Sequence, residues 1–475
     1  MDVHINLIGS TDLTGEIYRQ LRAAILSSRL KPGEVLPPTR ELASRLSVAR
    51  TTVSVAYERL IAEGLAVSKV GSGTYVASAA PIELVVPRRE RAVLRARSPW
   101  DSVRVPSELW REAKYDFRSG VPETRLFPFK TWRRLLAREM RADPATTLYG
   151  NPAGHRALRE AIVRHVAISR GIRASADDLV VTNGTQQAID LIARVLLSPG
   201  ECVCVEDPSY PTPRRLLAAL GLDVRGVPVD SEGLIVDAIP REARLIYVSP
   251  SHQFPLGMSM SPRRRAALLA WANDANGALI EDDYDSEFRF GGRPIEPLHT
   301  LDTNGRVIYV GSFSKTIFPA LRLGFVIAPP SLHLALRNAK YLADWNSPAA
   351  SQAAMARFIE GGYFARYLRR MRKVYERRHR CIVELLERHF DGELEVMPSS
   401  VGLHVAALAS KASVERVERI VRAASASGFE CTPLAQYAVT ERKLAGLVLG
   451  YGAIDVERME EGLAILRTAF DEGER

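Results

Sequence analysis

Cysteine is scarce in this chain: 475 residues hold four, Cys202, Cys204, Cys381 and Cys431. That is too few for a disulfide framework, and Cys202 and Cys204 fall in an apolar run, Glu201 to Glu206, that reads as a buried strand. A reducing compartment, the cytoplasm, is the expected location. Long hydrophobic runs are missing too. No window approaches about 18 uninterrupted apolar residues and no basic start leads into an apolar stretch, so neither a membrane-spanning helix nor a signal peptide is expected. Internal repeats and low-complexity tracts are absent, which argues against a solenoid or a disordered chain.

With 46% hydrophobic residues and a length beyond what one core serves, at least two domains are expected. The net charge of +9 suits a nucleic-acid binder, because cationic side chains that neutralise phosphates release counterions. Charge alone does not decide the matter, since many enzymes are as basic.

Periodicity divides the chain. Within residues 1–77, Ile17, Leu21 and Ile25 share a helix face; Thr39 is a candidate N-cap ahead of Leu42 and Leu46; Ser47-Val48-Ala49 forms a corner; and Val53, Ala56 and Leu60 repeat at helical spacing up to Gly64. Leu65 to Val76 alternates around Gly71-Ser72-Gly73 as a hairpin. Residues 78–114 lose periodicity and carry Pro81, Pro87, Pro99 and Pro106 beside Arg88, Arg89, Arg91, Arg95 and Arg97. They read as a linker, either a solvated tether or an extra phosphate contact. In residues 115–330 apolar strand-like runs alternate with helices, which predicts an α/β domain with a mainly parallel sheet. Residues 331–475 are helix-rich, with a basic amphipathic run from Tyr363 to His389 and extended pieces near Leu394 to Met397 and Leu447 to Leu449, and predict a smaller α+β domain.

Helix, turn, helix and a glycine-tipped hairpin is the arrangement that sets a second helix in the DNA major groove while a wing touches the backbone. Thr39, Arg40, Arg50, Thr51 and Thr52 crowd the two helix starts, where N–H, hydroxyl and guanidinium groups meet phosphates, and Arg50 has the reach for a guanine edge. Gly71, Ser72 and Gly73 permit close approach of the wing. The stretches Leu36 to Ala43, Val48 to Val53, Ala56-Tyr57 and Gly71 to Val76 resemble the GntR family of winged-helix regulators. The resemblance implies a double-stranded DNA operator as partner; a degenerate or protein-binding winged helix is the plainer alternative.

The strongest chemical signal is Gly311-Ser312-Phe313-Ser314-Lys315, followed by Arg322, at the end of the run Val307 to Val310. Partial burial and nearby positive charge favour the neutral amine that a Schiff base with an aldehyde requires. Ser312, Ser314 and Arg322 offer an anion site for a phosphate. A second signal is Glu281-Asp282-Asp283-Tyr284-Asp285. Pyridoxal 5′-phosphate (PLP) needs a carboxylate to keep its pyridine nitrogen protonated, and Asp282 is the candidate. Tyr284 stands two residues on, suited to the cofactor's phenolic oxygen. Reading these acids as a metal site is weakened by the lack of a histidine at ligand spacing, so no metal is expected. Gly184, Thr185 and Gln186 open a helix after a strand and present N–H groups to a phosphate, and Tyr210 is placed to stack on the pyridine ring.

These motifs, with Asp116 to Gly120, Tyr149 to Gly154, Pro250 to Pro255 and Glu281 to Phe288, resemble the fold type I PLP enzymes over about Asp116 to Phe470, and the whole chain resembles the MocR subfamily of GntR regulators. By that resemblance Lys315 bonds PLP covalently, Asp282 pairs the pyridine nitrogen, Tyr149 reaches the phosphate held by a partner protomer, and a head-to-tail homodimer forms. Two departures stand out. Val448 occupies the place of the arginine that holds a substrate carboxylate in aminotransferases, and Phe254-Pro255-Leu256-Gly257 replaces their Asn-Pro-x-Gly. A valine cannot make a bidentate pair with a carboxylate. The expectation is therefore a DNA-binding regulator that senses PLP or its adduct with an amine or amino acid, with an active aminotransferase carrying a DNA-binding head as the alternative. A domain that keeps the fold and binds no cofactor is the least favoured reading.

Overall fold

The computed structural model describes residues 5–7, 12–69, 71–78, 96, 98, 100, 103, 113–141, 148–291, 295–441 and 443–472. Two compact units emerge, Met1–Arg95 and Ala96–Arg475. The basic linker read over 78–114 falls almost wholly outside the described residues.

In the first unit α1 (Leu13–Leu26) buries Ile17, Leu21 and Ile25, and the Asp12 carboxylate caps it by accepting from Gly15 N at 2.9 Å. The second helix, α2 (Thr39–Leu46), corrects the sequence reading: Pro38 is its N-cap, with no side-chain cap bond, and Thr39 is the first helical residue. Pro38 fixes the extended backbone that a cap position needs, so the Thr39 hydroxyl is left to accept from Arg50 Nε at 3.3 Å. Ser47, left-handed at φ 54°, turns the chain into α3 (Arg50–Ala62), which buries Val53, Ala56, Tyr57 and Leu60. Strands β1 (Ala66–Lys69) and β2 (Gly73–Val76) pair antiparallel as the wing, with Lys69 opposite Gly73.

The second unit opens with β3 (Tyr115–Asp116). Its large sheet comprises β4 (Leu179–Thr182), β5 (Cys202–Asp207), β6 (Asp223–Asp230), β7 (Gly233–Leu234), β8 (Ala243–Val248), β9 (Ala278–Asp283), β10 (Val307–Ser312) and β11 (Gly324–Ile327). The order is β4-β11-β10-β9-β8-β5-β6-β7; among the described residues only β11 and β7 run antiparallel to their neighbours. Its central strands are largely apolar until their C-terminal ends because helices cover both faces. A smaller antiparallel sheet joins β12 (Glu395–Val396), β13 (His404–Leu408), β16 (Gly446–Gly450) and β15 (Thr432–Pro433). The helix Tyr363–His389 packs its stripe Phe364, Tyr367, Leu368, Met371, Tyr375 and Ile382 into the shared core. One pairing was not readable in the sequence: β3 lies parallel to β14 (Phe429–Glu430), so the entry to this unit is bound to its tail.

Candidate cofactor site and DNA-reading face

Parallel strands bring their C-terminal ends to one edge of the large sheet, where α/β folds place ligands. Here those ends are Thr182, Asp207, Val248, Asp283 and Ser312. Register sets Val310 of β10 beside Asp282, Val248 of β8 beside Glu281, and Ser312 beside Gly324, which in turn adjoins Thr182.

Alternation along β9 sorts its three acids. Glu281 accepts from Leu298 N and His299 N, both at 2.9 Å, and Asp283 binds buried Arg170 at 2.7 Å and Tyr309 Oη at 2.6 Å. Asp282 points the other way. Its Oδ2 accepts from Tyr247 Oη at 2.6 Å, and its buried Oδ1 has no partner. Burial pushes the Asp282 carboxyl up to about 7, opposed by the Tyr247 hydrogen bond and the Lys315 charge, while Asp283 and Asp285 add to the rise. A buried carboxylate oxygen without a donor fits a pyridinium N–H, and the acids do not converge on a common metal position.

Lys315 follows β10 and donates from Nζ to Gly120 O at 2.7 Å. Ser312 Oγ accepts from Ser314 N at 3.1 Å. Arg322 is held left-handed at φ 51°, a strained backbone for a side chain with a Cβ, and its guanidinium donates to Asn183 O at 2.7 Å. A Cβ on Gly184 would lie 3.0 Å from Arg322 Nη2. Gly184 is the N-cap of the helix Thr185–Leu196, so the first-turn N–H groups of Thr185 and Gln186 and the Arg322 charge meet at one place, the physical requirement of a phosphate cradle. Gln187 is fixed behind it by buried Lys340, at 2.9 Å.

Tyr284 donates to His252 O at 2.9 Å and lies 3.0 Å from His252 Nδ1, which is also 3.0 Å from an oxygen of buried Asp285. Tyr210 is 42% exposed, with Phe254 edge-on at 5.6 Å. Phe254 also meets Tyr284 and Tyr437, forming an aromatic group where the aromatic-free Asn-Pro motif would stand. Tyr149 is 78% exposed and stacks on Trp345 at 4.3 Å. Val448 is fully buried among Leu256, Ala406, Leu434 and Tyr437, an apolar wall with no cation.

Sequence reading missed Tyr247, His252, Glu206 and Gly120. Glu206 is buried on β5 near Asp282, one oxygen accepting from Ser249 N, and burial raises its carboxyl to about 8. Among the described residues one set of side chains lies close enough to share a metal ion, His252, Asp285 and His404. Hydrogen bonds already engage all three, including His404 Nε2 to Pro255 O at 3.0 Å.

On the first unit, Arg40, Arg50, Thr51, Gly71, Ser72 and Gly73 are exposed, and Thr39 and Thr52 half-buried. Gly71 and Gly73 have positive φ and open space around them, as a wing tip requires. Tyr57, Leu60 and Leu65 are core, Tyr57 Oη donating to Pro37 O at 2.8 Å.

Residues 13–76 match the family "Bacterial regulatory proteins, gntR family", and residues 113–443 match "Aminotransferase class I and II". The probable rhizopine catabolism regulatory protein MocR of Rhizobium meliloti is 38% identical over 464 residues, 96% of this chain and 93% of its own. The pyridoxine biosynthesis transcriptional regulator PdxR of Corynebacterium glutamicum is 30% identical over 100% of this chain and 99% of its own. Among solved structures, kynurenine aminotransferase of Pyrococcus horikoshii, in complex with PMP, superposes with a TM-score of 0.73 at 26% identity, covering 82% of this chain and 99% of that one. No helix among the described residues is long and apolar enough to cross a membrane. The chain belongs to the MocR type of GntR-family transcription regulators, in which a winged helix-turn-helix DNA-binding domain precedes an aminotransferase class I and II domain that takes PLP.

Proposed function

We propose that this regulator senses PLP, or PLP joined to an amine, at the edge formed by Lys315, Asp282 and Arg322, and that occupancy changes its affinity for a DNA operator. The carrying observation is a contrast between two positions: a buried Asp282 oxygen with no partner, suited to the cofactor, and a buried Val448 in apolar surroundings, which brings no cation to anchor a substrate carboxylate. When bound, PLP supplies a reactive aldehyde and an electron-withdrawing ring. Lys315 provides the amine that bonds it, Asp282 holds the ring-nitrogen proton, Tyr284 turns its one hydroxyl proton from His252 O to the phenolic oxygen, Tyr210 covers the ring, and Gly184, Thr185, Gln186, Ser312, Ser314 and Arg322 surround the phosphate.

The exposed Tyr149 suits a role across a homodimer interface, reaching the partner's phosphate site. Two winged helices then read two operator half-sites through Thr39, Arg40, Arg50, Thr51, Thr52 and the wing residues Gly71, Ser72 and Gly73. The likeness to a regulator named for pyridoxine biosynthesis supports PLP itself as the signal, and the boundaries 1–77, 78–114, 115–330 and 331–475 are the working division of the chain.

The test is the absorbance of the purified protein with PLP during addition of amino acids and amines, paired with DNA binding with and without PLP. A stable bound-cofactor band that no compound converts to the pyridoxamine form, with a PLP-dependent change in DNA affinity, supports sensing. Conversion with release of an oxo acid or aldehyde would instead make the pocket an active aminotransferase.

A further inference from the structure

The first half of the helix Tyr363–His389 carries charge that folding does not explain. Arg366, Arg369, Arg370, Arg372 and Lys373 are all exposed, and residues 361–375 include no acid. The second half is different. There Arg377 pairs with Glu457, Arg378 with Glu123 and Asp455, and Arg380 with Glu376. Among the described residues Arg366, Arg369, Arg370 and Lys373 make no ion pair, while Arg372 is engaged by Glu287 O.

Four positive side chains at i, i+3, i+4 and i+7 lie on one helix face and repel one another. The first of them, Arg366, also closes the first turn of the helix, where the backbone dipole disfavours cations. Neither effect stabilises the fold, and the opposite face of the helix already supplies its packing through Phe364, Tyr367, Leu368 and Met371. A neighbour extends the patch. On α4 (Phe129–Glu139) Arg133 and Arg134 are exposed, and Arg134 donates to Tyr363 Oη at 3.2 Å while Arg366 lies 5.8 Å over the same ring.

We propose that this face, Arg133 and Arg134 of α4 with Arg366, Arg369, Arg370 and Lys373, is a second DNA-phosphate-binding surface, carried by the aminotransferase-like unit itself. Seven residues of helix span roughly 10 Å at about 1.5 Å per residue. One DNA strand presents a phosphate about every 3.4 Å of axis, so the row matches about three phosphates. Phosphate contacts need only charge and reach, which long, unpaired arginines provide, and such a surface reads no sequence. An acidic protein would be a different partner; duplex DNA is favoured because the chain is a DNA-binding regulator and these four cations on the helix make no ion pair among the described residues.

The test uses the full-length protein with PLP and a random-sequence duplex, titrated by fluorescence anisotropy at several salt concentrations. The variant replaces Arg366, Arg369, Arg370 and Lys373 by glutamine. A control variant replaces four exposed cations elsewhere on the same unit, Arg215, Lys411, Arg419 and Arg422, by glutamine. About 0.9 of salt slope is lost for each phosphate contact removed, so the patch variant loses about 3 from the slope of log K against log salt, and the control loses less than about 1. Equal losses in both variants, or none in the patch variant while its melting temperature is unchanged, would overturn the proposal. An Arg50→Ala arm reports on the winged helix separately: loss there with no loss at the patch leaves the DNA reader standing and removes only the second surface.

Discussion

Replacing Tyr247 by phenylalanine removes one oxygen and, with it, the donor that holds Asp282 Oδ2 at 2.6 Å. The other oxygen, Oδ1, already has no protein partner, so the carboxylate would stand in its buried position with no donor at all. A hydrogen bond to a charged group is worth about 1.5–3 kcal/mol, and each 1.4 kcal/mol is a factor of about ten in an equilibrium. Burial holds the Asp282 carboxyl at about 7 even with Tyr247 lowering it, so loss of Tyr247 moves that carboxyl higher still and favours its neutral form. A neutral carboxyl is a poor partner for a pyridinium cation. Tyr247→Phe is expected to weaken PLP binding by about 10- to 100-fold at pH 7.5 and to shift the acidic limb of the binding profile to higher pH by one to two units. PLP titration followed by absorbance from pH 6 to 9 measures both. Unchanged affinity and an unshifted profile would refute the view that Tyr247 conditions Asp282.

Lys315→Ala should abolish the absorbance band of lysine-bound cofactor while changing stability by no more than about 1 kcal/mol, since the side chain makes one hydrogen bond, to Gly120 O; a retained band rules Lys315 out. Arg50→Ala should weaken operator binding by about 5- to 150-fold, the loss of about 1–3 kcal/mol for a base-edge contact, with PLP affinity unchanged; equal DNA affinity at physiological salt removes Arg50 from the reader. The PLP-free protein should lose thermal stability as pH rises from 6 to 8. Burial raises Asp282 to about 7 and Glu206 to about 8, above their unfolded values near 4, so the stability carried by their neutral forms is present at low pH and disappears as each ionises; Asp282→Asn should fall less steeply than the parent, with Glu206 carrying the remainder, and a profile as steep as the parent's removes Asp282 from the effect.

Much of the fold was legible because strands buried on both faces read as apolar runs, as Leu179–Thr182 and Val307–Ser312 largely do. Lys315 and Asp282 stood out as candidates for a related reason, since each is polar at the end of such a run. Their partners were not. Tyr247 comes from β8, and only the β8–β9 register, Tyr247 beside Ile280, brings its hydroxyl to Asp282. Thr39 was misread as a cap because hydroxyl residues usually cap, whereas here Pro38 takes the position. The β3–β14 pairing joins Tyr115 to Phe429, a separation across which no local pattern carries information.

That last pairing bears on how occupancy would be transmitted under the proposed sensing function. A ligand shifts a conformational equilibrium only through contacts that differ between states, and the Lys315 amine is the group whose contacts must differ when it bonds a cofactor. It donates to Gly120 O, and Gly120 lies just beyond β3, in the stretch by which the chain enters the second unit. Covalent engagement of the amine takes that donor away. A hydrogen bond of about 1 kcal/mol is enough to bias two arrangements of the entry segment by about fivefold. Gly120→Ala tests the link, because Gly120 sits at φ +81° and a Cβ there would lie 2.7 Å from Lys315 Nζ, forcing the two apart with or without cofactor. The ratio of DNA affinities with and without PLP should fall below about twofold in this variant if the Lys315 to Gly120 contact is what differs between the states. An undiminished ratio, in protein that still binds PLP, would place the transmission elsewhere.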